Sequence, residues 1–157
     1  MRSRPARASD PNRPPAAHPL VPSADEMTAS ARHYTIEEAN ALLPSVRSIL
    51  LQLAVERRRY AEAHAALHAL LRGNGDPSHA AEVARNEEAV ASVRAGMEAL
   101  GEHLAALGVE LRDLEMGLVD FPGQRDGELV WLCWRLEDPT VAFWHTRREG
   151  FANRKPW

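Results

Sequence analysis

Apolar side chains recur at alternating steps of four and three residues over two long stretches of the chain. In the first stretch the positions of this series are Val46, Leu50, Leu53, Arg57, Tyr60, His64, Leu67 and Leu71. In the second stretch they are Val83, Asn86, Val90, Val93, Met97, Leu100, Leu104 and Leu107. This spacing is typical of a coiled-coil seam. Because only the five residues from Gly73 to Pro77 separate the two stretches, the pattern predicts a long antiparallel helical hairpin over residues 44–107.

Local signals give the expected ends of these helices. Thr35 and Glu38 form a capping-box pattern, which predicts that a helix begins there. Pro44 lacks an amide proton and disfavours helical backbone at the preceding residue, so we expect this first helix to be short and a second one to begin at Pro44. Asp76 suits the N-cap of the next helix, and Gly108 suits the left-handed residue after its end.

The period changes after Gly108 to one typical of strands. Residues 118–121, 129–136 and 141–146 are rich in branched and aromatic side chains and are predicted strands, while residues 109–114 fit either a strand or a connecting segment. Asp126-Gly127 favours a tight type I′ hairpin, and residues 137–140 favour a second turn. The sequence therefore predicts a three- to four-stranded antiparallel sheet.

Two tight turns would fix the pairing of these strands. The first places Phe121 opposite Leu132, and the second places Leu132 opposite His145. One face of the sheet would then be apolar and would pack on the helices, with the members Val119, Phe121, Val130, Leu132, Trp134, Leu136, Val141 and Phe143. His145 falls on this inward face. The opposite face would carry Asp120, Trp131, Cys133, Arg135 and Trp144.

These elements together predict an α+β fold, with a short helix, a long helical hairpin and a C-terminal antiparallel sheet. We assign residues 34–157 to one domain, made of the hairpin (44–107), a β meander (109–146) and a C-terminal tail (147–157). Residues 1–33 are rich in Pro, Arg and Ala and lack an apolar run, so we expect a disordered tail. Met27 is an alternative start of translation.

Charge and cysteine content exclude several classes of protein. The net charge is −3, and acidic residues flank the short runs of arginine, which argues against a nucleic-acid-binding protein. The one cysteine, Cys133, excludes an intrachain disulfide and a zinc site built of cysteines alone. No run of apolar residues is long enough to span a membrane. We therefore expect a cytoplasmic protein.

Six residues of the strand-rich end are candidates for ligand binding: His145, Arg154, Asp120, Asp113, Trp144 and Arg135. Each also has a structural interpretation. His145 suits a base, a ligand or a hydrogen-bonded core residue. Asp113 and Asp120 suit a carboxylate pair or turn hydrogen bonds. Arg135 and Arg154 suit recognition of an anion, but an ion pair of Arg135 with Asp120 or Glu137 is the better explanation of that residue.

Two further sites carry weaker signals. Cys133 should lie opposite Asp120, whose charge would raise the pKa of the thiol, so we interpret Cys133 as a packing residue. His64, His68 and Glu87 are weak candidates for a metal site on the hairpin, because His64 and His68 share one helix face. A polar layer in the helical seam explains His64 as well.

Several motifs in combination resemble the small bacterial family catalogued as domain of unknown function number 2203. They are residues 33–44 (HYTIEEANALLP), 117–122 (GLVDFP), 132–134 (LCW), 143–145 (FWH) and 150–154 (GFANR). The likeness covers about residues 34–157. It implies a cytosolic bacterial protein and transfers no activity.

The leading hypothesis from the sequence is a non-enzymatic interaction or assembly module. Exposed seams and an uncovered Trp131/Trp144 face would favour a homodimer. The alternative is a small-molecule or metal-binding protein, or an enzyme, with its site at the strand-rich end. That alternative requires Asp113, Asp120, His145 and Arg154 to converge around an aromatic pocket. No cofactor is predicted, because the common cofactor motifs do not occur.

Overall fold

A computed structural model describes residues 32–73 and 77–157, which form two long helices followed by an antiparallel sheet. The predicted α+β class is therefore confirmed. The helices are α1 (Ile36–Leu70) and α2 (Pro77–Ala106), and the strands are β1 (Glu110–Asp113), β2 (Leu118–Arg125), β3 (Glu128–Arg135), β4 (Phe143–Thr146) and β5 (Lys155–Pro156). The five strands lie in the sheet in chain order. The predicted disordered tail lies outside the described residues, apart from its last two.

Helix α1 begins at the predicted capping box but does not break at Pro44. The Thr35 hydroxyl accepts from the Glu38 amide, and the Glu38 carboxylate accepts from the Thr35 amide. The predicted short helix is wrong as a separate element, because α1 is one helix of 35 residues that includes Pro44. Proline inside a helix costs about 3 kcal/mol, whereas each large apolar side chain that is buried contributes roughly 1.5–3 kcal/mol. Burial on both sides of the proline, at Leu43, Val46, Ile49, Leu50 and Leu53, therefore outweighs its cost.

The two helices pack as the predicted hairpin, and every predicted seam position of α2 is at least half-buried. In α1 the seam differs from the prediction. Arg57, His64 and Leu71 are exposed, and the residue before each of them, Glu56, Ala63 and Leu70, is half-buried in its place. Arg57 instead forms an ion pair of 3.6 Å with Glu115.

Helix α2 ends at Gly108 as predicted. Gly108 has a φ of +70°, and its amide donates to Ala105 O at 2.8 Å. The amide of Val109 donates to Leu104 O at 3.0 Å, which completes a Schellman motif. Val109 and Leu104 are both buried, so this helix end also fixes where the chain enters the sheet.

The pairing of β2 with β3 is as predicted. Phe121 lies opposite Leu132, and Val119 lies opposite Trp134. The connecting residues Asp126 and Gly127 both have a positive φ, of 52° and 84°, as a type I′ turn requires. The inner face of β2 and β3 therefore packs on the helices, in a core that includes α1 residues from Ala39 to Leu53.

The predicted pairing of β3 with β4 is wrong by one residue. Leu132 lies opposite Trp144, and Trp131 lies opposite His145. Because successive side chains of a strand point to opposite faces, this difference exchanges the two faces of β4. Trp144 packs against the core on the helix side, and His145 and Phe143 lie on the opposite side.

Within residues 32–73 and 77–157, neither helix contains a stretch that is both long and apolar enough to cross a membrane.

Candidate functional site

The loop between β3 and β4 determines the pairing of these strands, and α1 holds this loop in place. Asn40 accepts from the Val141 amide at 2.8 Å and donates to the Val141 carbonyl at 3.3 Å. Arg47 donates to Leu136 O at 2.7 Å and to Asp138 O at 3.3 Å. The connection therefore spans residues 136–142 and is wider than the predicted four-residue turn. Neither Asn40 nor Arg47 was singled out from the sequence, since a half-buried polar residue near a helix start has no distinctive pattern.

A cluster of polar side chains is buried on the face of the sheet that points away from the helices, which we call the outer face. Asp120 is 2% exposed and His145 is 4% exposed, and Cys133 and Trp131 are also buried. Asp120 lies opposite Cys133 in the sheet, as predicted. The prediction that His145 lies on the inner face is wrong. The changed register of β4 is what brings this histidine to Asp120.

Asp120 has two close partners on the outer face. Arg112 donates from Nε to Asp120 Oδ2 at 2.7 Å, and His145 Nε2 lies 3.4 Å from the same oxygen. Asp120 Oδ1 is buried and has no hydrogen-bond partner among the described residues. An unpartnered buried carboxylate oxygen is costly, because its hydration is lost without compensation. Asp120 therefore has capacity for a further ligand.

The two ring nitrogens of His145 both face oxygen atoms. Nδ1 lies 2.9 Å from the carbonyl oxygen of Thr146, which can only accept, so Nδ1 carries a proton. Nε2 faces the Asp120 carboxylate. In the neutral ring with this tautomer, Nε2 presents a lone pair to a negatively charged oxygen. A proton or a metal cation between the two atoms removes this repulsion.

The Cys133 thiol completes the cluster. Burial raises the pKa of this thiol to about 12, and the neighbouring Asp120 carboxylate acts in the same direction, whereas Arg154 favours the thiolate. The prediction that Asp120 raises the pKa of this thiol is confirmed. Without a bound metal ion, Cys133 is therefore a protonated and unreactive thiol at neutral pH.

Arg112 covers the cluster and was not singled out from the sequence. It lies at an irregularity in β1, between Leu111 and Asp113, where the pairing with β2 shifts. Its guanidinium stacks 4.7 Å from the ring centre of Trp131 and also binds Glu110 at 3.0 Å. A bulge of this kind redirects a side chain, and no sequence pattern marked it in advance.

An open pocket of about 240 Å³ lies over this cluster. Its walls combine charged and aromatic side chains with the start of the C-terminal segment, namely Arg112, Leu118, Asp120, Trp131, His145, Arg147, Glu149, Gly150 and Phe151. Glu149 at its rim accepts from the Thr146 hydroxyl at 3.0 Å and from Lys155 at 3.3 Å. The hydrogen bond from Thr146 is the main reason that the pKa of Glu149 is lowered.

Of the four residues that the alternative hypothesis requires to converge, the structure brings Asp120 and His145 together. Arg154 favours the Cys133 thiolate, and its guanidinium lies 4.5 Å from the ring centre of Phe143. Asp113 does not join them in the metal-ligand group, and its carboxylate accepts from the Met116 amide at 2.9 Å, which is a turn hydrogen bond.

The other candidates have structural contacts. Arg135 pairs with Glu137 at 3.9 Å and with Asp138 at 3.4 Å. Trp144 donates from Nε1 to Pro156 O at 3.2 Å in the tail. Trp131 is buried by its own chain, so the predicted uncovered tryptophan face no longer argues for a homodimer.

The weak metal candidates on the hairpin do not form a ligand group. Among the described residues, the ligand atoms of His64, His68 and Glu87 do not all come within 4.8 Å of one another. His64 instead stacks on Tyr60, with ring centres 5.8 Å apart.

Comparison with known proteins gives one match. The family model described as "Uncharacterized conserved protein (DUF2203)" matches residues 32–157. No curated protein and no solved structure matches the chain. The match includes both helices, all five strands and every residue of the outer-face cluster. The chain therefore belongs to the DUF2203 family.

Proposed function

We propose that this protein binds a small molecule in the outer-face pocket. The observation that carries the proposal is the convergence of Arg112, Asp120 and His145, two of them buried, on the floor of an open pocket. Ionisable groups that converge in a concave site are typical of binding and catalytic sites. Small-molecule binding at this end of the chain is the alternative hypothesis drawn from the sequence.

The walls of the pocket favour an anionic ligand with an apolar body. Both carboxylates of the pocket already have a cationic partner, Arg112 for Asp120 and Lys155 for Glu149. A guanidinium has five N–H donors, and Asp120 and Glu110 engage two nitrogens of Arg112. Trp131 and Phe151 offer aromatic surface beside these donors. A volume of about 240 Å³ is below the range of drug-sized sites, so the ligand is small. Together with the guanidinium donors of Arg112, this size favours a small carboxylic acid.

Ligand-observed saturation-transfer NMR with acetate, benzoate and phenylacetate tests this function. We expect the two aromatic acids to receive saturation from the protein, and Phe151→Ser to abolish the effect. Met116→Ser is the matched control, since Met116 is 43% exposed and is not among the residues that line the pocket. Absence of saturation transfer to all three acids, or equal transfer with Phe151→Ser, would contradict the proposal.

Assembly through α1 is a second candidate function, in keeping with the leading hypothesis from the sequence. Leu51 and Val55 lie one helical turn apart and are 52% and 51% exposed, and both line an open groove that continues to Leu100. Apolar residues in such a row favour contact with a second copy of the chain. Sedimentation velocity should show a dimer that Leu51→Glu converts to a monomer, whereas Leu71→Glu, at a 59% exposed site, should not. A monomeric unmodified chain would contradict the dimer.

A further inference from the structure

Three different metal-binding side chains meet beneath the pocket. Asp120, Cys133 and His145 each offer one donor atom, and these atoms all lie within 4.8 Å of one another. All three residues are buried. They come from three neighbouring strands, β2, β3 and β4, so the sheet itself holds them in place. Within the described parts of the chain, no other group of three such residues meets this distance.

The distances fit a small divalent cation with little rearrangement. Bond lengths of zinc to sulfur, nitrogen and oxygen place the ligand atoms of a tetrahedral site about 3.3–3.6 Å apart. The separation of Asp120 Oδ2 from His145 Nε2 is 3.4 Å, which lies in that range. The remaining separations are at most 4.8 Å, so side-chain rotations that bring the donors closer by about 1 Å complete the site.

Each donor residue has a partner that orients it, as metal ligands in proteins generally do. The Thr146 carbonyl holds the proton of His145 on Nδ1 and leaves the Nε2 lone pair for an ion. Arg112 fixes the Asp120 carboxylate at 2.7 Å, while Asp120 Oδ1 stays unpartnered. Arg154 lies against Cys133 and favours its thiolate. A bound cation would pair with the lone pair of His145 and with the Asp120 carboxylate, whose Oδ1 has no hydrogen-bond partner among the described residues.

The charges of the proposed ligands match those of a dication. Arg112 and Arg154 would repel a cation by themselves, but each has a second carboxylate partner. Arg112 binds Glu110 at 3.0 Å, and Arg154 lies 3.5 Å from Asp138. The Asp120 carboxylate and a Cys133 thiolate supply the two negative charges that a dication requires. A bound dication also removes the proton of a thiol ligand, which reverses the preference for the protonated form.

We propose that Asp120, Cys133 and His145 bind one divalent first-row transition-metal ion, with zinc as the best match. One sulfur, one nitrogen and one oxygen donor select a borderline ion such as zinc over magnesium or calcium, which prefer oxygen alone. Three protein ligands leave a fourth position, and Asp120 and His145 both line the pocket, so that position opens towards it. The ion needs no organic ligand, so this proposal stands apart from the binding of a carboxylic acid.

Titration of the chelator-treated full-length protein with Co²⁺ tests the site. Cobalt bound by a thiolate absorbs in the near ultraviolet, and tetrahedral cobalt absorbs strongly in the visible. We expect both absorptions at one ion per chain, and their loss on addition of Zn²⁺. Cys133→Ser should abolish the near-ultraviolet band, and Asp120→Asn and His145→Gln should weaken binding at least tenfold. The matched control is the double variant His64→Ala with His68→Ala, which should bind as the unmodified chain does.

Elemental analysis of the unmodified chain needs no variant, and it therefore tests the site even if a change in the buried cluster prevents folding. After exposure to zinc and gel filtration, the chain should retain one zinc ion. A chain that retains no zinc and shows no cobalt absorption would overturn the proposal. The proposal is also overturned if the bands persist in folded Cys133→Ser protein or disappear in the His64/His68 double variant.

Discussion

Asp120 and His145 approach to 3.4 Å although strand β3 lies between their strands. Asp120 lies opposite Cys133, and His145 lies opposite Trp131, so the two side chains meet diagonally over β3. The contact depends on the register of two strand pairs. A change in either register would therefore separate the two residues.

Asn40 should contribute to stability by holding the loop that sets this register. Its side chain accepts from the amide of Val141, a residue that is 2% exposed. Asn40→Ala leaves this buried amide without a partner, which costs about 1–3 kcal/mol in free energy of unfolding. Urea denaturation measures the loss. Gln52→Ala is the control, because the exposed Gln52 side chain donates only to Ser48 on the same helix.

The accepting and donating hydrogen bonds of the Asn40 side chain can be separated by a second variant. Asn40→Asp keeps the oxygen that accepts from Val141 and loses the amide group that donates to the Val141 and Ile36 carbonyls. We expect it to lose less stability than Asn40→Ala in the same urea series. Equal stability of Asn40→Ala and the unmodified protein would show that the loop is held by other contacts.

Pro44 should be a destabilising residue that the core of α1 overrides. It is exposed and lies inside the helix, where proline is roughly 3 kcal/mol less favourable than alanine. Replacement by alanine also frees the unfolded chain, which offsets about 0.4–1 kcal/mol of the gain. Pro44→Ala should therefore raise the free energy of unfolding, by about 2 kcal/mol. Lower stability of this variant by thermal or urea denaturation would indicate that Pro44 has a role that α1 requires.

Cys133 should resist alkylation in the folded, metal-free protein. The thiol is buried, and its pKa is raised to about 12, so the reactive thiolate is scarce at about pH 8. Because Cys133 is the one cysteine of the chain, the increase in mass after treatment with iodoacetamide measures its reactivity directly. Labelling should be slow in the native state and rapid in urea. Rapid labelling of the native protein would place the thiol at the surface.

Glu149 should contribute to the acid sensitivity of the C-terminal segment. Its pKa in the folded state is lowered from the ordinary value of 4.5, chiefly by the Thr146 hydrogen bond, so folding favours the carboxylate. This contribution is fully present above pH 4.5 and disappears as the pH falls through the lowered pKa. Glu149→Gln should be less stable than the unmodified protein at neutral pH, and the difference should diminish below pH 4.5. A difference that does not change with pH would contradict this role.

Much of the fold could be predicted from the sequence because its signals are local. The capping box at Thr35, the Asp126-Gly127 turn and the Gly108 helix end depend on a few adjacent residues, and all three are confirmed. The helix through Pro44 could not be predicted in this way. The cost of the proline is local, whereas the burial that outweighs it depends on core residues distant in sequence.

The candidate site depends on non-local pairing, and the sequence therefore singled out Asp120 and His145 but did not predict Arg112 or a ligand role for Cys133. Asp120 and Cys133 were placed correctly because the tight turn between β2 and β3 fixes their register. His145 was placed on the wrong face, since the wider loop before β4 is set by Asn40 and Arg47 on a helix about 100 residues earlier. A shift of β4 by one residue along β3 would move His145 to the inner face and separate it from Asp120.

A crystal structure of the zinc-treated protein, with anomalous diffraction recorded at the zinc absorption edge, tests the central claim most directly. We expect one anomalous peak bounded by Asp120, Cys133 and His145, with Trp144 on the helix side of the sheet. A structure without a peak at this position, or with His145 facing the helices, would contradict the proposed metal site.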